Sequence, residues 1–375
     1  MRTIDDKKVK FEKICLRFHM PAIFDSGWAP EILKVLKRHG DVESVVTGPM
    51  GATASLDHDL EKEVVFVKRG WSHWIKSTKY DVIINATHSS LEKSLADCWH
   101  LHKGNIPIVG VETRSKTVVP WDKSVAFFAE NLSKDLNFNL GKPKDFGKNI
   151  WKEGGRTYRK ILAVDAGDFV LIEGIVVGKA ISENVVVVED CGKIKNIMGV
   201  DIKKQGFEKI EEIGKIDEIR INSVKLLRGN VKTRKKLRPS KKNRVAFIDH
   251  AGYDTYNFIE DGVGAAVTVG DDTTLVAGDI MGRFSMSIIG LVDGDANCLL
   301  GDVTYAKNSA VLYLEDDDAF GKAVFNEIFK KELLSEASFE ELKESIIDLA
   351  KRKKVLKELK LQNIKRSNDE WVGQI

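Results

Sequence analysis

Three short stretches in the last third of the chain hold the residue types from which hard-cation and phosphate chemistry is built. In VDGDAN, Asp293 and Asp295 stand two residues apart. On an extended chain that spacing sends both carboxylates to one side, close enough to share a divalent cation. Mg²⁺ is the expected ion, because it binds through one or two carboxylates and completes its shell with water and substrate phosphate. In VTVGDDTT, Gly270, Asp271 and Asp272 lead into Thr273 and Thr274. A helix starting there would offer backbone N–H groups and hydroxyls to an anion such as phosphate. RVAFIDH ends in Asp249 and His250, which could supply a third metal arm or an acid/base group. Asp279 and Asp302 lie in the same region, and the EDDDA stretch reads as the cap of a helix starting near Ala319. A single Gly-Asp turn, or acids that merely complement a helix dipole, would explain any one of these stretches. Their shared placement at predicted strand ends of one sheet favours a ligand site.

The elements that must carry these residues follow from hydropathy period and turn signals. Strands are predicted at 14–18, 42–48, 64–67, 81–87 and 106–112, with helices over 30–40 and 91–104. Strands separated by helix-length segments imply βαβ units. After Pro239 the same rhythm gives strands at 244–250, 264–272, 285–297 and 309–315, with helices at 254–262, 273–284 and 319–334. The fold class is therefore α/β: two doubly wound, mainly parallel, Rossmann-like domains at 10–140 and 244–334. Between them, 155–224 reads as a small β-rich segment punctuated by glycines, and 225–243 as a basic linker. Residues 335–375, charged and amphipathic, read as terminal helices that pack on the domain or on a protein partner or second copy.

A weaker constellation sits in the first domain. FHMPAIFDSGW brings His19, Asp25 and Ser26 out of a strand, TGPMGATASLDHD brings Thr53, Ser55, Asp57 and His58, and NATHSS with VET adds Asn85, Thr87, His88 and Glu112. GPMG is neither the GxGxxG dinucleotide fingerprint nor a P-loop, so no nucleotide follows from it. Turn residues and satisfied histidines explain these positions about as well as a small-molecule site does.

Composition narrows the classes. With 43% hydrophobic and 31% charged residues and no long apolar run, no membrane span is expected. The start, MRTIDDKKVKFEK, lacks a signal-peptide core, so a cytoplasmic protein is expected. Four cysteines without CxxC or Cys/His spacing support neither a disulfide framework nor a zinc site. A net charge of +3 argues against a surface that coats nucleic acid throughout. Only KLLRGNVKTRKKLRPSKKNR (225–244), with ten Lys or Arg and no acid, could face a polyanion, and it contains no aromatics for base stacking.

FHMPAIFDSGWAPEILKVL, GPMGATASLD, VTVGDDTTLVAGDIMGRF and IIGLVDGDAN together resemble an archaeal family of unknown function found chiefly in methanogens. Met20 and Ala52 depart from that resemblance, where Gly and Arg would be more typical. A looser similarity, at the level of fold analogy, is to Toprim domains, which place an acid after the first strand and D-x-D after the third; Asp249 and Asp293/Asp295 fit that order. The first expectation is Mg²⁺-dependent binding of, or chemistry on, a nucleotide or other phosphate-bearing small molecule. A non-enzymatic ligand-sensing or assembly protein of methanogen metabolism and a Toprim-like nucleic-acid-processing protein are the alternatives.

Overall fold

In the computed structural model, residues 3–5, 8–68, 71–75, 79–102, 106–173, 175–225, 227–228, 244–294, 303 and 305–361 are described. They fall into two compact units, Met1–Arg228 and Gly229–Ile375.

The first unit opens with β1 (Thr3–Asp5), which pairs antiparallel with β2 (Lys8–His19). There follow α1 (Ala22–Asp25), α2 (Trp28–Leu36), β3 (Gly40–Thr47), α3 (Pro49–Asp57), β4 (Val64–Val67) and α4 (Trp71–Trp74). Next come β5 (Val82–Thr87), α5 (Leu91–His102), β6 (Ile108–Glu112), β7 (Thr117–Pro120), α6 (Ala126–Leu136) and β8 (Asn139–Leu140). The sheet order is β4-β3-β2-β5-β6-β7-β8, parallel from β4 through β6. Alternation along the strands sends Phe18 and Val46 toward α1 and α3, whereas Cys15, Val45 and Ile83 pack with Cys98 of α5 on the other face. Helices thus cover both faces, as the apolar runs in β2, β5 and β6 require. The winding direction reverses between β2 and β5, which makes their carboxyl ends the topological switch point.

The same unit continues into a β-rich segment: β9 (Ile150–Glu153), β10 (Arg156–Ile161), β11 (Phe169–Ile172), β12 (Ile175–Ala180), β13 (Val185–Asp190), β14 (Lys193–Met198), β15 (Val200–Ile202), α7 (Lys204–Ile210) and β16 (Ile221–Val224). Two antiparallel four-stranded sheets, β14-β13-β10-β9 and β15-β12-β11-β16, contribute to one core that includes Val170, Ile172, Val177, Val185, Val187 and Ile197. Val185 and Val187 of β13 enter that core at period two, whereas Val177 and Ala180 of β12 enter it three residues apart.

In the second unit, β17 (Arg244–Asp249), α8 (Thr255–Glu260), β18 (Val263–Val269), α9 (Asp271–Arg283), β19 (Ser287–Val292), β20 (Ala310–Leu314) and α10 (Asp317–Glu327) preserve the βαβ rhythm. The chain ends in β21 (Leu334–Ser335), α11 (Phe339–Lys353) and β22 (Leu356–Leu361). The order is β21-β17-β18-β19-β20-β22, with four parallel central strands and an antiparallel strand at each edge. Val245, Phe247, Val267, Val269 and Ile289 pack with Phe320 and Val324 of α10 and Leu342 and Ile346 of α11. Thr268 and Gly290, of opposite parity, meet α9.

Three expectations change here. The strand expected over 264–272 stops at Val269, so Asp271 and Asp272 form the first turn of α9 rather than a strand-end loop. The helix expected over 319–334 ends at Glu327. The C-terminal region, expected to be helical, contains β22, because LKELKL alternates with period two and pairs antiparallel along β20. Among the described residues, no helix is long and apolar enough to cross a membrane.

Candidate functional site

Because β17 to β20 run parallel, their carboxyl ends share one edge of the second sheet. β17 ends at Asp249, and His250 follows with φ +51. That uncommon backbone accompanies a ring whose Nδ1 lies 2.5 Å from Asp249 Oδ1 and whose Nε2 lies 3.3 Å from Asp318 Oδ1. His250 therefore bridges the end of β17 and the first turn of α10. Beneath it, β18 passes into α9 through Gly270, at φ +96 and ψ 143. A methyl group there would touch the His250 ring at 3.4 Å, an ordinary contact, so the demand for glycine is one of backbone conformation. Gly270→Ala is expected to cost at least about 1 kcal/mol, read from the urea midpoint of the second unit.

Further carboxylates lie on the segments that follow these strands: Asp271 and Asp272 in the first turn of α9, Asp317 and Asp318 in that of α10, and Asp293 after β19. Asp271 and Asp317 are buried, Asp272, Asp293 and Asp318 are half-buried, and Asp249 is exposed. Asp316 caps α10 by accepting from Ala319 N at 2.8 Å, close to the expected capping role of the EDDDA stretch. Among the described residues, no three His, Cys, Asp or Glu side chains form a group that could hold a metal ion. A Mg²⁺ held by one or two carboxylates, water and a ligand phosphate needs no such group.

The remaining expected members are distributed unevenly. Thr273 is 5% exposed. Thr274 was expected to present its hydroxyl to an anion. Instead it is fully buried, with Oγ1 2.8 Å from Thr268 Oγ1, and its methyl would collide with any side chain at Gly290. The close helix–strand packing around Gly290 turns that threonine inward. Asp279 pairs with Arg283 at 2.6 Å inside α9. Asp295 and Asp302 lie outside the described residues.

The first-unit constellation separates into structural and exposed parts. Asp25 and Asp57 both bind Arg228, His58 Nε2 lies 3.1 Å from Asp25, and Ser26, Thr53 and Ser55 donate to carbonyls within their own helical turns. Glu112, 1% exposed, accepts from the N–H groups of Ser89, Arg114 and Ser115 at 3.0, 2.9 and 2.6 Å, fixing the β6 exit. At the switch point, Arg17 donates to Asn85 Oδ1 and Asp97 Oδ2 at 2.5 and 2.6 Å, and Asn85 Nδ2 donates to Asp97 at 2.8 Å. Burial would raise the Asp97 carboxyl, but Arg17, His19 and Asn85 hold it well below the usual range. His19 is lowered from 6.5 to about 4, chiefly by burial, with Arg17 and Lys93 adding and Asp97 opposing. The unfolded chain thus takes the proton first, and stability falls as pH drops from 6.5 to 4. With the side chain 25% exposed, the loss is expected to be about 2 kcal/mol, and His19→Gln should flatten that part of a stability–pH profile.

Sequence reasoning missed Arg17, Lys93, Asp97, Asp168 and Arg228. Arg17 leaves a signal, a cation at a buried position within the apolar run ICLRF of β2. The partners of the others are set by distant parts of the chain.

The profile of a family described as an uncharacterized protein conserved in archaea, DUF2117, matches residues 16–332 and so spans both sites. The chain belongs to this family. The DUF2117 chain is 32% identical over 326 residues to the uncharacterized protein MJ0065 of Methanocaldococcus jannaschii, covering 83% of the chain and 90% of that relative. A crystal structure described as a cobalamin biosynthesis protein G homolog from Sulfolobus solfataricus aligns at 15% identity over 76% of this chain and 80% of that one. Its TM-score of 0.22 is too low to bear on fold or function.

Proposed function

We propose that the carboxyl edge of the second sheet binds Mg²⁺ together with a nucleotide or other phosphate-bearing small molecule. In this reading Asp293 and Asp249 contribute to the cation and His250 holds or passes a proton. The observation that carries the reading is the Asp249–His250–Asp318 bridge above Gly270, at the end of four parallel strands. The bridge itself holds two carboxylates, and the segments leaving the same strands carry more, so a bare phosphate would meet like charge that a divalent cation would offset. The first turn of α9 receives no hydrogen bond from a capping side chain, so its backbone N–H groups could donate to an anion that the metal brings in. Asp271 and Asp272 complement the dipole of that helix, which makes the metal the necessary partner of any phosphate here.

The full chain should melt higher with Mg²⁺ and either pyrophosphate or ADP than with each component alone. A ligand at a hundred times its Kd stabilises by about 2.7 kcal/mol. Asp249→Asn and Asp293→Asn should each abolish the joint shift. An unchanged melting curve with both phosphate probes, or full shifts in both variants, would sink the reading.

A further inference from the structure

A second pair of groups lies at the switch point of the first sheet. His19 ends β2 and pairs in register with Thr87 at the end of β5; His88 is the next residue. The two imidazoles are held by different partners. Arg17 Nη2 lies 2.9 Å from His19 Nδ1. A guanidinium only donates, so His19 Nδ1 accepts and the ring proton sits on Nε2. His88 Nδ1 lies 2.8 Å from Thr113 Oγ1, which donates its single hydrogen to the Thr87 carbonyl at 3.1 Å. Both contacts are made together only if His88 Nδ1 carries the hydrogen, which leaves His88 Nε2 as an acceptor. Neighbouring strand ends thus offer one donor and one acceptor, on rings that are both partly exposed.

The charges around them are already compensated. Arg17 pairs with Asp97 at 2.6 Å, and Lys93 pairs with Asp168 and, at 3.5 Å, with Asp165. The loop carrying Asp165 and Asp168 also accepts from Ser90 at 2.8 Å, so the β-rich segment borders this edge of the sheet. An anion would find no uncommitted cation among these residues, and a carboxylate would set a lone pair against His88 Nε2. We propose that His19 and His88 form a second ligand site that binds the neutral amide edge of a small molecule. His19 Nε2–H would donate to its carbonyl oxygen, and His88 Nε2 would accept from its N–H. A carboxamide and a lactam ring both present that edge.

Histidine-labelled full-length protein tests this by long-range ¹H–¹⁵N spectroscopy at pH 7, using nicotinamide as the carboxamide, uracil as the lactam and benzoate as a charged control of similar size. His88→Gln, at a half-buried position, assigns one ring, and His19 is recognised by staying neutral below pH 5. The expected spectrum shows Nε2–H for His19 and Nδ1–H for His88. One or both amide probes should move both rings together at millimolar concentration, identifying the source of the edge, while benzoate moves neither. Identical tautomers, a protonated His19 at pH 7, rings unmoved by both amides, or an equal response to benzoate would each overturn the proposal.

Discussion

Arg228→Ala is expected to lower the unfolding free energy of the first unit by about 3–5 kcal/mol, the usual cost of removing one partner from a buried ion pair. The Arg228 side chain is 1% exposed and that of Asp57 is 0% exposed, with Nη1 to Oδ2 at 2.5 Å. The second arm of the guanidinium grips Asp25, so the substitution would take the counter-charge from one fully buried carboxylate and from a second, partly buried one. The contact fastens the end of the β-rich segment to α1 and α3. Arg228→Lys should recover only part of the loss, because an ammonium cannot reproduce the planar fork that reaches both carboxylates. Six of the seven tryptophans lie in the first unit, so urea denaturation followed by tryptophan fluorescence reads this unit selectively.

Lys93→Met should have an effect of similar size and a different rescue. Lys93 is 3% exposed and Asp168 is fully buried, and their pair docks α5 against the turn before β11. Asp168 Oδ2 also accepts from Asp165 N at 3.0 Å, so the carboxylate would keep one hydrogen bond and lose its counter-charge. A cost of about 3–5 kcal/mol follows for the single variant. Lys93→Met combined with Asp168→Asn keeps the backbone hydrogen bond and removes the stranded charge, so it should be the more stable of the two. A double variant no better than the single one would mean that the pair does not act through charge.

These two contacts show which features a linear reading reaches. The parallel strands were legible because βαβ units write buried strands as apolar runs separated by helix-length segments. The acidic edge was legible because each run ends in Asp or Gly-Asp. The helix boundary at Asp271 was not, since Gly270 can end a strand and open a helix in one step. Thr274 looked like a ligand because hydroxyls favour helix starts; its neighbour across the packing, Gly290, is 16 positions away and decides otherwise. Arg228 stood in a run that composition marks as solvated, yet its partner Asp25 is 203 residues earlier in the chain. Period-two alternation in LKELKL was visible, but its high charge favoured a helix until β20 provided an edge to pair with. Met20, where glycine would be more typical, adopts φ +74. The family resemblance thus agrees with a backbone requirement that composition does not show.

The acidic edge of the second sheet is tested most directly by counting cations. Mn²⁺ can replace Mg²⁺ as a paramagnetic probe, and its free fraction can be titrated by electron paramagnetic resonance in the presence of ADP. One tightly held Mn²⁺ per chain is expected, competed by Mg²⁺, with affinity reduced at least about tenfold in both Asp249→Asn and Asp293→Asn. No bound Mn²⁺ under these conditions, or binding equally strong in both variants, would contradict the account.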